Sequence, residues 1–434
     1  MADESEVMDA HDMEELEAHL RDQTADLKAA GLTTDEAFLI AMKRMGNVNE
    51  LMREFAHEYS GRLWRQLFGA DADEAGDSSG RWWEALVFAS IAAVAIQVAR
   101  LAASFPAEEP SWFYRNAGLF VLPALAAYLA RRRDLSTRRW LVAAIPFSIA
   151  AIVVNVYPYS ESSSTEMLVV AHLPVVLWFF CAYAYSGGDL RSHERRMDFI
   201  RFTGEWFIYY VLIALGGGVL LALTALILEP TGGATAERVI EWVLPSGAAG
   251  AVVIAAWLVE TKQRVVENMA PVLTMLFTPL FALMLAGATV VYAATGLGSA
   301  FDRELLGVFD ALLVVVLGLV LYGVSARDPD DAPGWMDKAQ LAAVVGAIAL
   351  DAVVLGTMIA RIGELGFTPN RTAALGLNIV LLVSLVGTAV LLAKFLTGRG
   401  TFHRIERWQT NYIPVLGMWA AAVVIVLPPL FGFA

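Results

Sequence analysis

Long apolar runs separated by short polar turns dominate the chain from residue 82 onward. They occur at about 82–104, 112–130, 140–158, 167–186, 206–228, 243–260, 269–294, 306–325, 340–360, 372–394 and 411–433. Roughly 20 apolar residues suffice to cross a bilayer as a helix, so the pattern predicts an all-α polytopic membrane helix bundle of about eleven spans. The stretch from Arg201 to Leu228 shows the plan. Arg201, Glu205, Trp206, Tyr209 and Tyr210 form a polar, aromatic entry, where an interfacial belt would place Trp and Tyr, and an apolar run follows. Gly216, Gly217 and Gly218 fall inside that run as candidate packing or hinge positions, because missing side chains let a neighbouring helix come close. The weakest span is 243–260, which holds Pro245 among small residues.

Residues 1–81 follow a different pattern, of amphipathic helices and not apolar runs. Leu16, Leu20 and Leu27 mark one helix that Gly31 stops. Thr33 and Glu36 make a capping-box start for a second, striped by Phe38, Ala41, Met42 and Met45. A third, from about Asn49, turns Leu51, Met52, Phe55 and Tyr59 inward. The prediction is a small three-helix head over 1–68, an acidic Gly/Ser-rich linker over 69–81, and a transmembrane domain over 82–434.

Charge separates the same regions. The formal net charge is −13, and residues 1–81 contribute −11 of it from 19 acidic and 8 basic side chains. An acidic head argues against a nucleic-acid partner and against docking on an anionic leaflet. In the membrane part, Lys and Arg gather in alternate loops. Arg131, Arg132, Arg133, Arg138 and Arg139 lie in one, Arg191, Arg195, Arg196 and Arg201 in a second, Lys262 and Arg264 in a third, and Lys394, Arg399, Arg404 and Arg407 in a fourth. The loops at 106–111 and 160–166 have none. Basic loops stay in the cytoplasm, so the head is expected inside and Ala434 outside. The acidic loop at 326–338 shares the inner side, and acidic residues count little in this rule. Residues 1–20 have no apolar core and do not read as a cleavable signal peptide. Cys181 is the one cysteine, which rules out an intramolecular disulfide.

The order Glu15–Leu16, His19–Leu20, Ala30–Gly31–Leu32, Glu36–Ala37–Phe38 and Met45–Gly46 resembles the permease prefix domain, also called the HAAS signalling domain. That resemblance implies a cytoplasmic N-terminal module of a bacterial membrane protein, with a regulatory or docking role and no catalysis. Further along, Arg361 to Arg371, and within it Gly366–Phe367–Thr368–Pro369–Asn370–Arg371, resembles the bacterial family called domain of unknown function 4153, with a weaker likeness at Thr203–Tyr210. This second resemblance implies a multi-pass domain of the bacterial plasma membrane whose activity is unassigned. Read from the residues alone, Thr368-Pro369-Asn370 is a turn that caps the next helix.

Polar side chains inside apolar runs are the candidate chemistry. Asp351 lies half-way through its span, where an acid costs on the order of 2.5–3.5 kcal/mol to insert and usually faces a bundle interior. Its helical face is otherwise apolar (Val344, Ala347, Ile348, Val354, Leu355, Met358), so a hydrogen bond must come from another span, and His172 and Asn378 are the deepest candidates. It is expected protonated and pointing inward. Arg100, Arg115, Asn155, His172, Asp310 and Asn378 all fall in outer halves of spans and suggest one outward-facing polar vestibule. Glu205 suggests an interfacial pair with Arg201. Nucleotide-loop, zinc-protease and nucleophile-elbow motifs are absent, and no histidine stands three or four residues from another, so no enzyme activity, cofactor or metal is expected. Two functions fit. In one, the head docks a cytosolic or membrane protein partner and the lipid-embedded bundle senses a signal. In the other, the chain is a secondary transporter or ion-translocating protein using Asp351. An open polar cavity reaching Asp351 favours transport, and a sealed bundle with an exposed head surface favours regulation.

Overall fold

The computed structural model describes residues 82–103, 111–160, 163–228, 233–261, 269–295 and 303–434, together with Lys28. The chain divides into two compact units, Met1–Gly80 and Arg81–Ala434. The expected three-helix head and its linker lie outside the described residues. The second unit is built from helices, with no strand among the described residues. In chain order they are α1 (Trp82–Ala103), α2 (Ser111–Arg132), α3 (Thr137–Val156), α4 (Ser164–Tyr185), α5 (His193–Leu228), α6 (Gly233–Thr261), α7 (Met269–Thr295), α8 (Arg303–Ser325), α9 (Trp335–Leu365), α10 (Pro369–Leu396), α11 (His403–Ile425) and the single turn α12 (Leu427–Leu430). The chain is a multi-pass membrane helix bundle.

Each long helix covers one apolar run. The weak segment 243–260 sits inside α6, which continues through Pro245. The run at 411–433 is not one helix. Pro428 and Pro429 have no N–H to give the preceding turn, so α11 stops at Ile425 and α12 follows. α5 is 36 residues long, about 54 Å at 1.5 Å per residue. It extends past the apolar run into a first segment that buries Met197, Phe199, Ile200, Phe202 and Glu205. Nine of the eleven long helices are apolar enough to cross a bilayer by composition. α2 and α11 fall short because polar side chains such as Arg115, Asn116, Arg404 and Glu406 occupy their first turns.

Contacts between helix ends sort the turns into two sets. At one end Arg131 of α2 meets Glu84 of α1, and Arg132 and Arg133 meet Glu260 of α6. Arg139 donates to Gly187 O, Arg201 of α5 to Ser325 O after α8, and His193 of α5 pairs with Thr410 of α11. Three of the four basic loops, those with Arg131–Arg139, Arg191–Arg201 and Lys394–Arg407, belong to this end; the loop with Lys262 and Arg264 lies outside the described residues. The acidic loop at 326–338 is also here and folds around Arg327, which pairs with buried Asp337 at 3.0 Å and stacks over Phe395 and Phe402. At the opposite end Arg115 meets Glu166, Tyr157 donates to Ile425 O, and Ser163 donates to Phe433 O. α2 and α11 each join the two sets, so packing carries them over the same height as their apolar neighbours.

The buried side chains form two main cores. The first is made by α1–α4, α6, the first turns of α5 and the far end of α11, around Tyr128, Leu125, Leu173 and Leu177. The second is made by α7–α10 with Met197, Ile200, Phe402 and Ile405, around Leu313, Leu350, Leu381 and Leu385. Glycine permits close approach to aromatic rings at three places. A methyl on Gly204 would strike the Tyr322 ring, one on Gly376 the Trp419 ring, and one on Gly387 the Trp408 ring.

Candidate functional site

α9 begins behind Gly334, whose N–H donates to Asp337 Oδ2 at 2.7 Å, and it runs unbroken to Gly366. Its buried face is Ala343, Val344, Ala347, Leu350, Asp351, Val354 and Met358. Asp351 therefore points into the second core, with no exposed surface at all. Neither of its carboxyl oxygens has a hydrogen-bond partner. The side chain faces inward as the sequence suggested, and the partner expected from another span is missing. A buried ionised carboxyl is costly unless it is paired and hydrogen-bonded.

Gly366, with φ 75°, ends α9, and Thr368 caps α10 by accepting from Arg371 N across the Pro369 turn. The bland reading of that motif as a capping turn holds. It sets the start of α10 and carries Asn378 inward, where it too is fully buried. Asn378 Nδ2 lies 2.8 Å from Asp310 Oδ1 of α8, 2.8 Å from Ala374 O of its own helix and 3.6 Å from Met358 Sδ. Those contacts fix the amide, since a flip would set its oxygen against two acceptors. Asn378 Oδ1 is left without a partner. Met358 lies on the same face of α9 as Asp351, and methionine side chains lean toward the helix N-terminus. Asn378 and Asp310 thus meet inside the second core, with Met358, two turns along the face of α9 from Asp351, against the amide. The three oxygens Asp351 Oδ1, Asp351 Oδ2 and Asn378 Oδ1 are the buried carboxyl and amide oxygens without partners among the described residues.

The other candidates are placed elsewhere, and no single outer vestibule forms. Arg100 donates to Gln97 at 3.0 Å and stacks on Trp242 at 5.1 Å, while Gln97 donates to Trp242 O and Ser246 Oγ. Asn155 and Asn116 exchange amide hydrogen bonds of 3.0 and 2.7 Å. Arg115 pairs with Glu166 at 2.5 Å and lies over Tyr159 at 4.9 Å. Burial pushes the Tyr159 phenol above its ordinary value against the pull of Arg115, so the ring stays neutral beneath the guanidinium. Each polar group found a local partner, and that removes the reason to gather. His172 on α4 sets Nδ1 2.9 Å from Leu168 O of its own helix and makes no hydrogen bond to Asp351. Arg201, exposed near the start of α5, donates to Ser325 O, and Glu205 is buried. Among the described residues nothing lies within 4 Å of a methyl added at Gly216, Gly217 or Gly218, so no described helix packs closely on them.

Sequence reasoning missed a polar seam on the basic side of Asp351. Gln409 donates to Thr388 Oγ1, Thr388 to Ser384 O, and Trp408 Nε1 to Ser384 O. Ser384 Oγ is buried without a partner. Ser, Thr and Gln are ordinary in membrane helices, and their alignment appears only when α10 packs on α11. A cleft at the basic end, lined by Asp330, Asp331, Phe395, Phe402, His403 and Arg404 among others, does not include Asp351. The Asp351 site is sealed in this state, and the open polar cavity that would favour transport outright is not seen there.

Comparison with known proteins adds no name to this geometry: no family model, curated protein or solved structure matches the chain.

Proposed function

We propose that the chain translocates an ion across the bacterial plasma membrane, or couples an ion to a solute, with Asp351 as the group that takes up and releases the ion. One observation carries this reading: a fully buried carboxyl on a membrane-spanning helix with neither oxygen partnered. Structural glue does not fit, because a carboxyl retained for cohesion would be hydrogen-bonded between helices. Unpaired intramembrane acids mark ion and proton paths. In this reading the basic end faces the cytoplasm and the two ends of the chain lie on opposite sides. The permease-prefix-like head then acts as a regulator of the translocating bundle through a protein partner.

The test uses the full-length protein in liposomes under an imposed inside-negative potential. Proton entry is followed with an entrapped pH dye and sodium entry with radioactive sodium. Wild type is expected to pass one of the two above empty liposomes, and Asp351→Asn to keep its fold and pass neither. Equal fluxes in the two proteins, or no flux in wild type, would overturn the proposal.

A further inference from the structure

We propose that the cleft at the basic end binds the zwitterionic head of an ethanolamine phospholipid, with Arg404 and Arg407 holding its phosphate and Asp330 and Asp331 its ammonium. The site is separate from Asp351 and does not rest on translocation. The cleft has a volume of about 600 Å³, within the roughly 300–1,000 Å³ of small-molecule sites. Two segments supply its charges. The loop after α8 brings Asp330 and Asp331. The first turns of α11 bring Arg404 and Arg407, three residues apart and so on one side of the helix. Phe395 and Phe402, packed edge to face at 5.5 Å, add apolar surface to the lining.

The acidic loop is held without the use of these two carboxylates. Arg327 stacks over both Phe rings and donates to the carbonyl oxygens of Asp328, Asp331 and Ala332. Asp328 Oδ1 accepts from Asp330 N. Asp330 and Asp331 are left exposed, as are Arg404 and Arg407. Among the described residues none of these four side chains is in an ion pair, so opposite charges line one cleft without closing on each other. A simple anion would meet the carboxylates there, and a simple cation the guanidiniums. A neutral ligand that carries both signs satisfies both. His403 is engaged by Glu406 of its own helix at 3.7 Å. Guanidinium forks match phosphate oxygens, and a carboxylate accepts N–H bonds from a primary ammonium. Position along the helices selects the lipid. Phe395 is in the last turn of α10, a helix apolar enough to span the bilayer. Trp335, 61% exposed at the start of α9, marks the interfacial level of an aromatic belt. Basic pockets beside membrane helices hold lipid phosphates, and the two carboxylates here add a seat for the ammonium.

The experiment is thermal unfolding of the purified full-length protein in detergent, with dioleoyl phosphatidylethanolamine, phosphatidylcholine or phosphatidylglycerol added in mixed micelles. Phosphatidylcholine keeps the phosphate, but its quaternary ammonium has no N–H for the carboxylates. Phosphatidylglycerol has no ammonium. The ethanolamine lipid is expected to raise the midpoint saturably, and the other two to need about tenfold more lipid, as for the loss of a charge-assisted hydrogen bond. Asp330→Asn with Asp331→Asn should erase the preference for ethanolamine over choline. Arg404→Gln with Arg407→Gln should weaken the response to all three lipids. Native mass spectrometry of wild type, counting retained ethanolamine against choline lipid, gives the comparison without a variant. No response, an equal response to the three lipids, a preference for another head group, or an ethanolamine preference that survives both double variants would overturn the proposal. Glycerophosphoethanolamine, which lacks acyl chains, acting as well as the lipid would overturn the lipid and assign the cleft to a soluble aminophosphate. None of these outcomes bears on ion flux, so the site and the proposed function fail separately.

Discussion

The two cores of the bundle leave different kinds of buried polar group open. In the first, Arg115 is matched by Glu166, Asn116 by Asn155, and Gln97 by Trp242 O and Ser246. Trp206 Nε1 donates to Val252 O. These groups close the outer ends of helices and bridge elements far apart in sequence. In the second core Asp351 has no partner, and Asn378 uses its donors while its oxygen has none. An unsatisfied buried polar group costs about 1–3 kcal/mol; the first core bears that cost at Tyr128 Oη and Arg115 Nε, and the second at a carboxyl and an amide oxygen. The lesson is one of kind: the first core pairs its charges across helices, and the second leaves a carboxyl unpaired.

Breaking the first core should produce the largest effect. Arg115 and Glu166 are both largely buried, and removing one partner of a buried pair costs roughly 3–5 kcal/mol because the other charge is stranded. Arg115→Met should therefore lower the thermal midpoint in detergent sharply. Adding Glu166→Leu should recover most of the loss. If the double variant is as unstable as the single, the pair is not what holds α2 to α4.

The next effect in size concerns close packing and applies to both cores. An alanine at Gly387 must displace the Trp408 ring, and overpacking of this kind costs about 1–3 kcal/mol. Trp408 also donates to Ser384 O, so the displaced ring loses a hydrogen bond as well. Gly387→Ala with Trp408→Phe should be more stable than Gly387→Ala alone. A double variant no better than the single would show that the ring is not the obstacle.

In the second core the expected sign reverses. Asp351→Leu removes an unpartnered carboxyl and fills the space with apolar surface. In sodium-free choline buffer it should raise stability by about 1 kcal/mol while eliminating ion flux. Stability lost together with flux would place Asp351 among the cohesive groups of the first core, and the comparison between the cores would fail.

Much of this was legible in the sequence. The apolar period marks every long helix, and the Lys and Arg bias picks out stretches that the structure gathers at one end. Asp351 is conspicuous because acids are rare in mid-span. Pairing was not legible. Nothing in the spacing says that Arg115 will find Glu166, in the first turn of α4, or that Asn155 will find Asn116. An apparent vestibule therefore dissolves into separate local pairs once the helices pack. The useful glycines were hidden for the same reason. Gly376 and Gly387 matter because Trp419 and Trp408 stand opposite on α11, which single-chain spacing does not reveal. The run of three at 216–218 draws attention, and no described helix packs closely on it.

That run gives the smallest and sharpest test. Gly217 lies in the apolar part of α5, where no residue is buried by the rest of the chain, and an added methyl meets open space. In water, replacing a mid-helix glycine by alanine gains up to about 1 kcal/mol through backbone entropy. Inside a bilayer the unfolded reference is itself helical, so that gain shrinks. Gly217→Ala is therefore expected to move the thermal midpoint by less than the equivalent of about 0.5 kcal/mol, as for other open surface positions. Gly387→Ala, the same chemical change against an aromatic ring, serves as the internal control. A loss at Gly217 as large as at Gly387 would mean that another helix seats against this face after all. Because no described helix does so, the partner would lie outside the described residues or in a second protein molecule. Cross-linking through a cysteine placed at Gly217, in a Cys181→Ala background, would then report it directly.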